Sequence, residues 1–301
     1  MSVNYDFIFL NKNVIVIQLQ LSIITEFMHD LLLSIVILAS SGCIAGTLAG
    51  FLGIGGGLLM VPILAFILHH QSDSLPFMQM ASGTSLSIMI FSGAMSSFKR
   101  WRAHDITLNT VKSTLPGVAI FCIIGAIIAH FLPAFVLSIG LAIVMIVLII
   151  KVLRQIMIAR RDTVNSGKSE PHAQPTFWNG ALIGANSGLF GLGGGVIGVP
   201  LLKGKGYSMR QATAFGATIT LLVSLVGTTS FIVTGLFAHI PDHWSFGYIY
   251  IPALVCMAPT SLIFVNLGTY LNHKVSPVIT QWVFLIMLLA ATGKLLWTAM
   301  A

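Results

Sequence analysis

The sequence predicts an all-α integral membrane protein made of two repeated halves, each a glycine-broken helical hairpin followed by three spanning helices. Three observations carry this: an extreme apolar composition, a series of charge-free windows of spanning length, and one glycine motif that occurs twice. Of 301 residues, 56% are hydrophobic and only 8% are charged, against the ~25% charged of a soluble domain, and the mean hydropathy is +0.96. Fifteen basic and eight acidic side chains are too few to cover a soluble protein of this size. The bilayer is the solvent that this composition fits.

The chain divides in order. Residues 1–30 form an N-terminal extension in which Lys12, Gln18, Gln20 and Glu26 interrupt the apolar run and no signal-peptide cleavage pattern stands out. The first repeat, 31–153, holds apolar stretches at 31–52, 58–68, 79–98, 115–132 and 134–150, most of them near the ~20 residues that a crossing requires. A basic, polar linker follows at 154–176. The second repeat, 177–301, copies the pattern with stretches at 177–190, 196–202, 211–237, 247–271 and 276–298.

Residues 46–64 (GTLAGFLGIGGGLLMVPIL) align without a gap on 184–202 (GANSGLFGLGGGVIGVPLL), and nine of the nineteen positions are identical. Six of the nine are glycines, so the match is a shared pattern and not common greasiness. The echo continues where Ala81-Ser82-Gly83-Thr84-Ser85 meets Ala214-Phe215-Gly216-Ala217-Thr218, and where Phe98 meets Phe231. Gly46, Gly50, Gly184 and Gly188 fit close helix packing at small-residue spacing. The triplets Gly55-Gly56-Gly57 and Gly193-Gly194-Gly195 do not keep to one helix face, and each glycine weakens a helix by ~1 kcal/mol, so they predict a broken backbone.

Glycine-interrupted segments at matching places in two membrane halves point to a transport site, because unwound backbone at membrane depth is tolerated only where it faces a cavity. The helix that restarts after each break presents its first amides and the positive end of its dipole, which favours an anion. Pro62 and Pro200 are expected in the first turn or two of those helices, where a missing N–H matters little. Both halves then open their next helix with neutral donors: Gln79, Ser82, Thr84, Ser85 and Ser87, and Gln211, Thr213, Thr218 and Thr220. Hydroxyls bind an oxyanion without a fixed countercharge that would hold it, although any single one can equally bond its own helix. Asn186, aligned with apolar Leu48, is a ligand donor or a C-terminal helix contact. The candidate substrate-binding set is therefore Gly55, Gly56, Gly57, Gly193, Gly194, Gly195, Thr84, Ser85, Thr218 and Asn186.

Short basic runs mark the cytoplasmic side of a membrane. Lys99-Arg100-Trp101-Arg102, the linker, and Lys203, Lys205 and Arg210 read as inside, whereas His69 to Met78 and Ala238 to Trp244 contain no Lys or Arg and read as outside. Equivalent loops then lie on opposite sides, which favours an inverted repeat over a parallel four-plus-four arrangement. Cys43, Cys122 and Cys256 stand far apart in apolar segments, so no disulfide or zinc pattern is available, and no metal or other cofactor is implied. Nothing resembles a nucleophile with its base, a Walker loop or a pair of acid and base carboxylates, so an enzyme is not expected. The basic residues are not massed with aromatics as in a nucleic-acid binder. A homo-oligomer is compatible with the sequence.

The doubled glycine motif with its downstream Val-Pro and hydroxyl patch resembles the sulfite exporter TauE/SafE family of membrane permeases, over about Leu31 to Trp297. The resemblance implies a multi-pass inner (plasma) membrane protein that moves small anions, chiefly sulfur-containing ones such as sulfite and organosulfonates. The function expected is a secondary transporter working by alternating access, with an anion channel and a non-transporting membrane scaffold as the alternatives.

Overall fold

The computed structural model describes residues 32–52, 56–71, 76–103, 105, 108–161, 174–238 and 244–300. The N-terminal extension through residue 31, Gly53 to Gly55 of the first break, and most of the linker lie outside the described residues. The described residues are helical almost throughout: α1 (Leu32–Leu52), α2 (Gly57–Gln71), α3 (Phe77–Arg102), α4 (Leu108–Phe131), α5 (Ala134–Arg161), α6 (Phe177–Phe190), α7 (Gly194–Gly204), α8 (Met209–Phe237), α9 (Ile251–Lys274) and α10 (Pro277–Met300). A small antiparallel hairpin, β1 (Ser245–Phe246) and β2 (Ile249–Tyr250), precedes α9.

Among the described residues, five stretches are long and apolar enough to cross a membrane: Leu32–Leu52, Asn109–Phe131, Ala134–Arg154, Met209–Phe237 and Ile251–Leu271. Many of their large apolar side chains, such as Ile143, Val147, Val255 and Ile263, are exposed, as a lipid-facing surface requires. The chain is an all-α, multi-pass membrane protein. Helix α3 is long enough, at 26 residues, but is not among these five. It lies inside, and its buried positions include Gln79, Ser82, Thr84, Ser85, Ser87, Ser92, Ser96, Ser97 and Arg100. Helix α5 continues through Arg154 to Arg161, into the stretch that the composition marks as the basic linker.

Two seams of small residues set the helix neighbours. On α6, a methyl added to Gly180, Gly184 or Gly188 would strike the carbonyl of Thr114, Val118 or Cys122 on α4, so the two helices run parallel and nearly touch. On α1, Gly42, Gly46 and Gly50 meet Met257, Ser261 and Val265 of α9 in the same parallel sense. The packing role expected for Gly46, Gly50, Gly184 and Gly188 is thus what their contacts supply. Each seam joins the helix before a break to a span from the other half of the sequence.

Helices α3 and α8 lie antiparallel at the centre. Gly83 faces Phe231, Gly93 faces Leu221, Ser87 faces Thr228 and Ser97 faces Thr218. At one end, Arg100 reaches Thr213, Ser113 of α4 bonds Pro175 before α6, and Lys205 bonds Gln174. Lys99, Arg102, Lys112, Lys203 and Arg210 gather at this basic end. At the other end, the described connections (Pro76, Leu132–Pro133, Ala238 and Trp244–Tyr250) hold no Lys or Arg. There the β-hairpin seats on α3 and α8: the Tyr248 amide donates to Phe231 O at 3.3 Å, and Tyr250 N donates to Thr84 Oγ1 at 2.9 Å. Tyr248 Oη pairs with His130 Nδ1 at 2.9 Å, and burial raises the Tyr248 phenol above its ordinary value, which favours the protonated, donating form.

A seam of backbone against backbone has no side chain that can step aside. Gly184→Ala and Gly46→Ala are each expected to destabilise the protein by about 1–3 kcal/mol, as over-packing does, and to lower its melting temperature in detergent. Gly293→Ala, where an added methyl meets nothing within 4 Å, should leave the melting temperature unchanged or slightly raised.

Candidate functional site

Both glycine motifs interrupt the helix. Helix α6 stops at Phe190, and its C-cap, Gly191, is left-handed at φ 67° and ψ 23°. Gly193 follows at φ 75° and caps α7, which restarts at Gly194. These positive angles suit glycine, since a Cβ would clash with the backbone. In the first half α1 ends at Leu52, and Gly56, at φ 83°, leads into α2. Its carbonyl accepts from the amides of Leu59 and Met60 at 3.2 Å. Pro62 and Pro200 sit in the second turn of α2 and α7, within the first turn or two that the sequence suggests. Neither can donate to the carbonyl four residues back, a loss that loosens each short helix just past its start.

The two breaks touch. A methyl on Gly57 would lie 2.7 Å from Leu192 O and 2.8 Å from Gly191 O. Gly57 also faces Met89 of α3, Gly191 faces Ser82, and Gly194 faces Ile219 of α8, so both breaks sit about halfway along the central pair. Residues 191–202 are all buried. At this depth, unsatisfied peptide groups would cost several kcal/mol each. Gly191 N donates to Ser187 O at 2.8 Å. Ser85 Oγ lies 2.9 Å from both Ser82 O and Gly191 O, and Gly195 N donates to Thr220 Oγ1 at 3.0 Å.

The candidate residues therefore separate. Gly56, Gly57, Gly193, Gly194, Gly195 and Ser85 are brought together where the breaks meet, and Gly55 lies outside the described residues. Thr84 is spent on the β-hairpin. Thr218 bonds Ala214 O of its own helix at 3.0 Å and lies 3.2 Å from Ser97, towards the basic end. Asn186 donates to Leu182 O at 2.9 Å, one turn back along α6, the helix-internal contact and not a bond across the break.

Two further hydroxyls matter more. Ser82 and Ser187 are each 1% exposed, and the Oγ of each is buried with no hydrogen-bond partner. Ser82 packs against Gly191, and Ser187 stands one turn before it on α6. A buried hydroxyl without a partner is destabilising by about 1–3 kcal/mol, and both of these lie near Gly191 at the second break. Ser82 belongs to the hydroxyl group that opens α3, but nothing in its spacing separates it from Thr84. Ser187 aligns with Ala49, and that polar-for-apolar difference between halves, of the same kind as Asn186 for Leu48, is the signal that marks it.

The described residues contain no group of three or more His, Cys, Asp or Glu able to hold a metal ion. What the site offers an occupant is the amide end of α7, two unsatisfied hydroxyls and a glycine surface: donors without carboxylates, suited to a small anion. Helices broken and paired at mid-depth inside a multi-pass bundle are the architecture of membrane transporters. The model of the sulfite exporter TauE/SafE family matches residues 38–295, and the chain belongs to that family. It is 30% identical to a probable membrane transporter protein of Haemophilus influenzae over 77% of this chain and 87% of that one. It is 29% identical to a probable membrane transporter protein of Methanocaldococcus jannaschii over 84% and 91%. A third such protein, YunE of Bacillus subtilis, is 27% identical over 70% and 85%. No solved structure matches the chain.

Thr220 tests how the second break is held. Thr220→Val strands the buried Gly195 amide and is expected to destabilise the protein by about 1–3 kcal/mol. Thr220→Ser, which keeps the acceptor oxygen, should recover most of the loss in a thermal melt.

Proposed function

We propose that the protein is a secondary transporter of small oxyanions, with sulfite and organosulfonates as the substrate class, and that the anion binds where the two glycine breaks meet. The observation that carries the reading is that the two breaks touch at Gly57 and Gly191, just before α7 starts, with the unpartnered hydroxyl of Ser82 packed against Gly191 and that of Ser187 one turn before it on α6. The amides of Gly193 and Gly194, the glycine surface of Gly56, Gly57 and Gly195, whose own amide is held by Thr220, and Ser85 complete the cradle. Thr84, Thr218 and Asn186 act around it, the first through the hairpin, the second through Ser97 and the third by shaping the end of α6. Membership of the sulfite exporter family and the three relatives support a transporter; the substrate is inferred from the site's neutral donors and from the family's character as sulfite exporters.

The transport cycle we infer is alternating access in an inner (plasma) membrane, with the basic end cytoplasmic. Two inverted halves of a broken hairpin and three spans each would supply the two rocking bodies. The antiparallel α3 and α8, at matching places in the two halves, and the matched parallel seams α1 with α9 and α4 with α6 support that arrangement. A carrier fits better than an open pore because residues 191–202 are all buried, which describes an occluded state. A binding-only scaffold would give no flux.

The test is purified protein titrated with sulfite, thiosulfate, sulfoacetate, taurine and sulfate in a thermal melt, followed by flux in proteoliposomes. A true ligand raises the melting temperature. Ser82→Ala with Ser187→Ala removes two hydroxyls that hold nothing in the empty protein. It is expected to leave the melting temperature without ligand unchanged or raised while weakening anion affinity at least tenfold, about 1.4 kcal/mol. Saturable flux in the native protein and its loss in Gly194→Val would agree with the reading; stabilisation by none of the five anions would refute it.

A further inference from the structure

Arg100 does not behave as the loop charge that the run Lys99-Arg100-Trp101-Arg102 suggests. Its neighbours Trp101 and Arg102 are exposed, but Arg100 is 0% exposed and is the largest fully buried side chain described. It turns inward from the end of α3. Nη1 donates to Thr213 Oγ1 at 2.6 Å, and Nη2 donates to Gly50 O at 2.8 Å. Gly50 lies in the last turn of α1, directly before the first break, and Thr213 lies in the first turns of α8. One guanidinium therefore ties together α1, α3 and α8 between the breaks and the basic end.

A file of hydroxyls leads to it. Ser82, Ser85, Ser92 and Ser96 precede Arg100 at intervals of three, seven and four residues, which keeps them on one face of α3, and all four are buried. Ser96 Oγ, one turn before Arg100, is buried with no partner, as Ser82 Oγ is at the break. Unspent donors thus stand at both ends of the file, and a fixed cation stands at the basic end. The aligned position in the second half is Val233, so this arrangement is peculiar to one side of the molecule.

We propose that Arg100 is the charged ligand of the transported anion on the basic side of the path, and that its bonds to Gly50 and Thr213 are the closed form of a latch which the anion's oxygens open by replacing those acceptors. The inference rests on the anion-transport reading given above and adds to it the residue that supplies the charge. The acceptors on Thr213 and Gly50 are neutral oxygens, and an anionic oxygen makes the stronger bond to a guanidinium, so the exchange favours the incoming anion. Releasing Gly50 O frees the end of α1 beside the first break, and releasing Thr213 frees the start of α8; these are the movements that opening towards the basic end requires. Asp105 competes for the same guanidinium through space, and its Oδ2 is buried with no partner.

The experiment is a sulfite titration of the purified full-length protein by thermal shift, comparing native protein with Arg100→Lys, Arg100→Gln, Asp105→Asn and the Ser82→Ala, Ser187→Ala double variant. Gln keeps donors for Thr213 and Gly50 but no charge; Lys keeps the charge. A ligand role predicts native tighter than Lys and Lys tighter than Gln, with Arg100→Gln weakened at least tenfold, and Asp105→Asn tightened severalfold because a competing carboxylate is gone. A purely structural arginine would leave the affinity of Arg100→Gln within about twofold of native, and that result overturns the proposal. Should Arg100→Gln fail to fold, an unchanged affinity in Asp105→Asn overturns it instead. Loss of binding in the serine double variant with binding kept in Arg100→Gln would reject Arg100 alone, whereas silence of the native protein towards every anion would remove the transport reading and this one with it.

Discussion

Lipid offers a peptide group nothing to bond with, and the central problem of this chain is how to interrupt two helices at mid-depth without leaving their ends bare. The solution comes from α3 and α8. Ser85 reaches the carbonyl of Gly191, Thr220 receives the amide of Gly195, and Arg100 caps the carbonyl of Gly50. Every one of these groups belongs to the central pair, and this explains a feature that hydropathy alone makes puzzling. α3 is the most enclosed of the long helices and the one too polar to register as a span. Its serines would be a liability against lipid; against two unwound segments they are the missing half of the backbone's own bonding.

The sequence shows the breaks, the repeat and the packing glycines because each depends on one residue type at fixed spacing. Glycine three times in succession cannot be a helix face, and glycine every fourth residue can. The contents of the site are less legible for a physical reason. A hydroxyl in a membrane helix can always bond the carbonyl four residues back, and composition does not say which will. Thr218 and Thr213 do so, Thr84 serves the hairpin, and only the three-dimensional accounting isolates Ser82 and Ser187. Arg100 is the sharpest case. Three cationic residues in a run of four mark a loop by every positional rule, yet only the middle one turns inward, because α1 and α8 present acceptors within its reach.

The two ends of the bundle are closed by unlike means. At the basic end, one side chain spans three helices. At the other, a two-stranded hairpin lies over α3 and α8, held by backbone amides on Thr84 and Phe231 and by the Tyr248 to His130 pair. Gly83 and Gly235 let the hairpin come down onto helix backbone, since a methyl on either would meet Tyr248. Loosening one end disturbs one charge; loosening the other disturbs a sheet of contacts.

The crossed seams bear on how the chain is made. Helix α1 leaves the ribosome about 200 residues before α9, the helix against which its glycines fit, which at ~5–20 residues per second amounts to on the order of 10–40 seconds. For that interval the first hairpin sits in the bilayer with its bare backbone stripe and its kinked glycines uncovered, and α4 waits in the same way for α6. Synthesis therefore passes through a stage in which neither half is a finished body. Those surfaces stay open until α6, and later α9, arrive to cover them.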